Sequence, residues 1–376
     1  DLTVNLAAGL EGATGSPSFR PSFRVHWSLS LLGAAGALAV MFLINAAATV
    51  VAAVIIAGVY LWLQRREMRT AWGDVRRGVL LSLAQSVLLR LDDTPPDPKN
   101  WRPNVLVLSG APTSRWHLVE LARSLTHNRG LMTLATVLRT GTRDAGQRAG
   151  MERIIGEYMA RRGVQALVRV VEAPNPYDGA ERLATTYGLG PLVPNTIILG
   201  DSERPEFREQ YCRTIATFHQ AHRNVVMLRH ADEKGFGDRR RIDVWWGGLQ
   251  KNGGLMMILA YLMRTSFDWR NAAVNIRLMV PHRDAADAAG LNLHAIIERL
   301  RIGAEVEVLV GARDDFPDVL RTRSAGADLV FMGLAAPDDV PDFTAYYERL
   351  QDMTVTLPTT AFVLAAEDLD FAEVLL

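Results

Sequence analysis

The chain has 376 residues, 41 basic against 41 acidic side chains, and one cysteine. Zero net charge argues against a nucleic-acid partner, which draws on a basic excess. The lone Cys212 excludes an internal disulfide framework and any Cys-rich zinc site. Hydrophobic residues at 49 % and charged residues at 22 % are globular averages, yet no Asp, Glu, Lys or Arg occurs from Val25 to Gln64. An ordinary soluble domain carries no such stretch. Asp1 stands where an initiator methionine would, without a signal peptide, which predicts a fragment or processed piece.

Residues 1–26 read as the end of a preceding membrane segment and a loop. Leu2, Val4, Leu6, Ala7, Ala8 and Leu10 suit the tail of a membrane or interfacial helix, and Gly12, Gly15 and Pro17 break it. Residues 27–63 are nearly twice the length of a membrane span, which takes about 20 apolar residues. The pattern predicts a hairpin of two spans, 27–44 and 46–63, with Asn45 as the turn residue. Arg20 and Arg24 before it, and Arg65, Arg66 and Arg69 after it, put both flanks on the cytoplasmic side. Trp27, Tyr60 and Trp62 fall at that interface. Gly33, Gly36 and Ala37 offer a close helix approach in lipid, although small residues are common in membrane helices generally. Neither span holds an ionisable side chain, so the hairpin by itself is not an ion pathway.

Residues 64–101 form an amphipathic connector helix and a proline-rich linker. Val75, Val79, Leu80, Leu83, Val87, Leu88 and Leu91 recur at spacings of three and four. Such a stripe lies on lipid or packs against a partner, and Leu83 and Val87 are its candidate dimer contacts. Asp92–Pro98 ends the helix and marks a boundary.

Strand and helix patterns then alternate. Strands are predicted at 104–110, 131–139, 165–171, 196–199 and 224–228, with a helix near 115–128. The pattern restarts with a helix at 253–264. Strands follow at 275–280, 305–310, 328–332 and 361–365, and helices at 284–301, 314–325 and 342–351. Continuous apolar strands between helices indicate an α/β fold with a parallel sheet covered on both faces. We read two related α/β lobes, 102–241 and 242–376.

Catalytic and phosphate-binding motifs are absent: no GxGxxG after the first strand, no GxxxxGK[ST], no HExxH and no GxSxG. No metal site or cofactor is expected. Ser109, Gly110 and Ala111 follow the first strand at its carboxyl end, where open α/β sheets bind ligands. They form either a nucleotide loop or a plain strand–helix turn. Trp245-Trp246-Gly247-Gly248, with Gly253-Gly254, frames the junction between the lobes. It reads either as a packed joint or as an interface with another chain or with the membrane part.

These stretches also carry a family resemblance. Ser16-Pro17-Ser18-Phe19-Arg20-Pro21-Ser22-Phe23-Arg24, Leu31-Leu32-Gly33, Met41–Asn45, Arg102–Pro112, Val244–Met256 and Asn275–Met279 resemble, in order, the carboxyl-terminal part of a cation-chloride cotransporter. That solute-carrier family moves sodium, potassium and chloride together. The resemblance implies that 27–63 are the last two membrane spans and that 67–91 joins membrane to cytosol. It also implies that 102–376 is a cytosolic regulatory and dimerisation domain, with lobes similar to universal stress proteins. The compact lobes, without long phosphorylatable insertions, resemble a prokaryotic member. The family's ion sites lie on earlier spans, so none carries over. Some members bind adenine nucleotide in this domain, but the glycine-rich phosphate signature is not recognisable after Asp328–Met332.

The expectation is therefore a multi-pass membrane protein with a cytoplasmic domain and no enzymatic activity. Its partners are lipid, the upstream transport core of the same protein and a second copy. A membrane-tethered nucleotide sensor is the alternative; a tethered α/β enzyme has no motif behind it.

Overall fold

The computed structural model describes residues 2–14, 25–65, 75–127, 130–141, 145–202, 204–247, 250–300 and 303–366. Arg20, Arg24, Arg66 and Arg69, the 16–24 motif and Gly248 lie outside the described residues. The chain divides into two compact units, Asp1–Pro95 and Pro96–Leu376.

The first unit is helical: α1 (Leu2–Thr14), α2 (Trp27–Arg65) and α3 (Val75–Asp92). Where the sequence predicts two separate spans, α2 is one 39-residue element broken at a single residue, Asn45, with φ −159° and ψ 100°. The broken helix is recapped locally. Asn45 Oδ1 accepts from Ala48 N at 3.0 Å, the geometry of an N-cap. Thr49 Oγ1 lies 2.8 Å from the carbonyls of both Met41 and Asn45, so its hydroxyl serves backbone acceptors freed by the break. Trp27–Val59, 33 residues of mean hydropathy 2.5, is the one helix among the described residues long and apolar enough to cross a membrane. Gly9 of α1 faces Leu31 of α2, where an added Cβ would come within 2.7 Å of the leucine side chain. Gly33 faces Asn5, whereas an added Cβ on Gly36 would meet nothing within 4 Å.

The stripe predicted for α3 is not a stripe. Leu83 and Val87 are 58 % and 53 % exposed, but so are Leu81 at 62 % and Leu89 at 60 % on other faces. At about 100° per residue these side chains are spread around the helix and interleaved with Ser82, Gln85, Ser86 and Arg90, so α3 has no continuous apolar face.

The second unit is a three-layer α/β structure. Its first five strands are β1 (Val105–Leu108), β2 (Met132–Arg139), β3 (Leu167–Ala173), β4 (Thr196–Gly200) and β5 (Asn224–Arg229). The next five are β6 (Arg241–Trp245), β7 (Ala273–Val280), β8 (Glu305–Val310), β9 (Leu329–Gly333) and β10 (Thr360–Leu364). All ten form one sheet in the order β3-β2-β1-β4-β5-β10-β9-β6-β7-β8. Each half repeats the same topology, with β6 taking the place of β1. Neighbours are parallel except at the seam, where β5 and β10 pair antiparallel from Arg229↔Thr360 to Val225↔Leu364. The two predicted lobes are thus halves of a single sheet, related by a pseudo-two-fold axis through the seam. Their strand ends point to opposite edges.

Period-two alternation assigns the faces. Val105, Val107, Ile242 and Val244 meet one core; Leu106 and Trp245 meet the other. The first core is covered by α4 (Trp116–Thr126), α5 (Ala145–Arg161), α8 (Gln250–Thr265) and α9 (Arg283–Leu300). The second is covered by α6 (Pro176–Thr186), α7 (Arg208–Gln220), α10 (Phe316–Ser324) and α11 (Phe343–Thr354). Across the seam α4 packs on α8 and α7 on α11. Local signals set the helix starts: Asn175 Oδ1 caps α6 through Asp178 N, with Pro176 in the first turn, and Asp342 Oδ1 caps α11 through Ala345 N.

Candidate functional site at the strand ends

The doubled topology makes counterparts of two stretches that the sequence presents separately. Ser109-Gly110 follows β1, and Trp246-Gly247 follows β6. Both sit at the carboxyl end of the strand where strand order reverses, the usual ligand position in open α/β sheets. The tryptophan–glycine block is therefore not the joint between the halves; β5 and β10 make that joint.

In the first half Ser109 is buried, and its Oγ has no hydrogen-bond partner among the described residues. Gly110 has φ +65°, a left-handed value that glycine adopts without strain, and its carbonyl accepts from Thr136 Oγ1 at 2.6 Å. Ala111 is exposed, and its carbonyl accepts from Ser114 Oγ at 3.0 Å. Arg115 reaches over the end of β4, since an added Cβ on Gly200 would touch its Nη1 at 3.5 Å. Burial raises the Tyr177 phenol, opposed by the nearby Arg115 charge.

In the second half the same position opens into a cleft of about 620 Å³. Trp245, Trp246, Met256, Met279, Phe316 and Met332 supply much of its wall. Trp245 is fixed by a 2.9 Å bond from Nε1 to Ser324 Oγ and an edge contact with Phe316, ring centres 5.3 Å apart. The Trp246 ring lies against Gly253 of α8, where an added Cβ would sit 2.8 Å from it. Asn252 is committed at both ends: Nδ2 donates to Leu334 O and Oδ1 accepts from Ala365 N, each at 2.7 Å.

Three polar clusters escape a sequence reading. Asp201, at the end of β4, accepts from Tyr347 Oη and, at 2.7 Å, from Gln351 Nε2 on α11 of the other half. Burial raises the Asp201 carboxyl, against the pull of Tyr347, Arg229 and Gln351. Arg229 donates to Thr354 Oγ1 at 2.7 Å beside it. Asp243 is fully buried and accepts from Arg241 Nε and Asn275 Nδ2, both at 3.0 Å; Arg277 lies 3.3 Å from it. Arg277 and Arg323 both pair with Glu307 of β8, which ties β6, β7 and β8 by charge. Finally His117 and His230 stack with ring centres 4.2 Å apart and planes at 9°. Burial first, then His230 and Arg115, lower His117 to about 4.

Among the described residues no group of three or more His, Cys, Asp or Glu side chains could hold a metal ion. Burial raises the Cys212 thiol to about 11, which leaves it a poor nucleophile.

The class this architecture defines is a doubled α/β domain built on one ten-stranded sheet. Residues 115–238 match the family model of solute carrier family 12. The chain is also similar in fold to the cytoplasmic domain of a prokaryotic cation chloride cotransporter. The two are 20 % identical over 73 % of this chain and 100 % of that one, with a TM-score of 0.56. A universal stress protein from Archaeoglobus fulgidus DSM 4304 matches at 12 % identity, over 71 % of this chain and 98 % of that one, with a TM-score of 0.48. The resemblance read from the motif blocks is borne out by the family match and the fold together.

Proposed function

We propose that the chain is the carboxyl-terminal part of a secondary active cation-chloride symporter that carries sodium, potassium and chloride. Residues 27–44 and 46–63 supply its last two spans, turning at Asn45. Residues 64–101 connect them to a cytosolic regulatory and dimerisation domain, with halves 102–241 and 242–376. Transport lies in an upstream core of the same protein, and the chain itself is not an enzyme. The observation that carries this reading is the solute carrier family 12 match on the first half of the sheet. The break at Asn45 supports the two-span division. An unbroken helix over Trp27–Val59, 33 residues, would run to about 50 Å, well beyond a hydrocarbon core of about 30 Å.

The test is chloride-dependent rubidium uptake in cells expressing the whole protein, with and without a stop codon after Asp92. Uptake that needs chloride and changes on truncation is expected. Uptake indifferent to chloride would overturn the proposal.

A further inference from the structure

The geometry points to a ligand class: the cleft of the second half binds an uncharged, flat aromatic molecule. Its volume of about 620 Å³ lies within the range of small-molecule sites, about 300–1,000 Å³, and it opens where ligands of such sheets bind. Trp245, Trp246, Phe316, Met256, Met279 and Met332 line it. Aromatic rings and methionine sulfurs are the groups that grip a π-face. Gly253 keeps the Trp246 ring tight to α8, so the ring forms a fixed platform.

Charge and backbone argue against a phosphorylated ligand here. Arg313 is the one cation among the described lining residues. Asp314 and Asp315 follow it directly, and Asp315 Oδ2 is spent on Ala312 N at 3.2 Å. With two acids next to Arg313 in sequence, this stretch offers a polyphosphate no net positive charge. Gly247, Gly311 and Gly333 all lie outside the left-handed region, so none shapes the concave row of amides that cups an anion. The left-handed glycine, Gly110, and the cation over the strand end, Arg115, lie at the first half's counterpart position instead. The two halves have divided the parts: anion-type turn geometry in one, apolar room in the other. The Asn252 amide is held in place by the carboxyl ends of β9 and β10, one bond at each end.

The inference does not depend on the transport reading, and its test reads the chain alone. The detergent-solubilised full chain, labelled with ¹³C at methionine methyls, would be titrated with 2-naphthol and separately with ATP. The expected result is saturable, ring-current-type shifts at Met256, Met279 and Met332, with Met132 and Met159 of the first half unmoved and no shift with ATP. Gly253→Ala should weaken the 2-naphthol affinity at least tenfold by displacing Trp246. Met279→Glu, which places a charge in the wall without touching that packing, should do the same. Absence of saturable shifts at those three methyls would overturn the inference. So would an ATP-induced shift at the same methyls, or unchanged affinity in both variants.

Discussion

Asp201, at the end of a first-half strand, accepts a hydrogen bond from Tyr347, on a helix of the second half 146 positions away in sequence. Gln351 donates to both of them, at 2.7 Å each. The halves are therefore joined on one face by a buried polar bridge as well as by the β5–β10 ladder. Replacing Tyr347 with Phe removes the hydroxyl but keeps the ring. The carboxylate then loses one donor while still buried, a situation that costs about 1–3 kcal/mol. A urea unfolding midpoint lowered accordingly, with helix and strand content unchanged by circular dichroism, is the expected outcome.

The stacked pair His117 and His230 predicts an acid-side loss of stability. Burial lowers both, with His117 at about 4, against an ordinary 6.5 in the unfolded chain. The folded state thus favours the neutral rings. Stability is full above about pH 6.5 and falls as pH drops toward 4, because the unfolded chain takes up the proton first. Arg115 and Asp232 act on His117, and Asp232 and Glu120 on His230; the acids soften the effect. Discounted for the solvent that still reaches this half-buried ring, the His117 contribution is on the order of 1–2 kcal/mol. Melting curves from pH 7.5 to 4.5 should show a steeper fall for the native chain than for His117→Asn.

Asn45 caps the helix that follows it, and alanine cannot. In Asn45→Ala the two helical stretches are expected to merge. Spin labels at Leu32 and Val59 would report this by pulsed electron resonance. Merging should lengthen the distance to about 40 Å, the span of 27 residues of straight helix at about 1.5 Å per residue, from a shorter native value. The same distance in variant and native chain would refute the capping role.

Leu83 and Val87 stand open on α3. If they meet a second copy, Leu83→Asp with Val87→Asp should shift the detergent-solubilised chain from dimer to monomer mass in light scattering. Because Leu81 and Leu89 are exposed as well, a retained dimer would move the contact to that other face.

The individual elements of the second unit were largely legible. The strand read at 275–280 spans Ala273–Val280, and the helix read at 314–325 spans Phe316–Ser324. Short apolar runs between helical periods carry that information locally. The seam was not legible: β5 and β10 are both mostly apolar, more than 130 residues apart, and nothing in either run encodes its partner. The same limit applies to Trp245 and Trp246. Large rings beside glycines mark a tight strand end, but periodicity cannot say whether that end meets a neighbour or encloses a cleft. Asp201 reads as ordinary loop composition, since its burial comes from Tyr347 and Gln351 of the other half. On α3 the spacing of three and four was present, yet Leu81 and Leu89 fall on other faces and remove the amphipathicity it suggested.

The antiparallel seam has a consequence for lineage and solubility. A chain of one half alone would leave its last strand, the equivalent of β5 or β10, as a bare apolar edge, and such edges recruit one another. Two copies meeting there would reproduce the observed sheet, so the molecule has the form of a dimer fused into one polypeptide. Fusion leaves only β3 and β8 at the margins. Those strands carry Arg169, Glu172, Glu305 and Glu307, charges that discourage a further strand from adding at either end and so keep the doubled sheet from growing into a polymer.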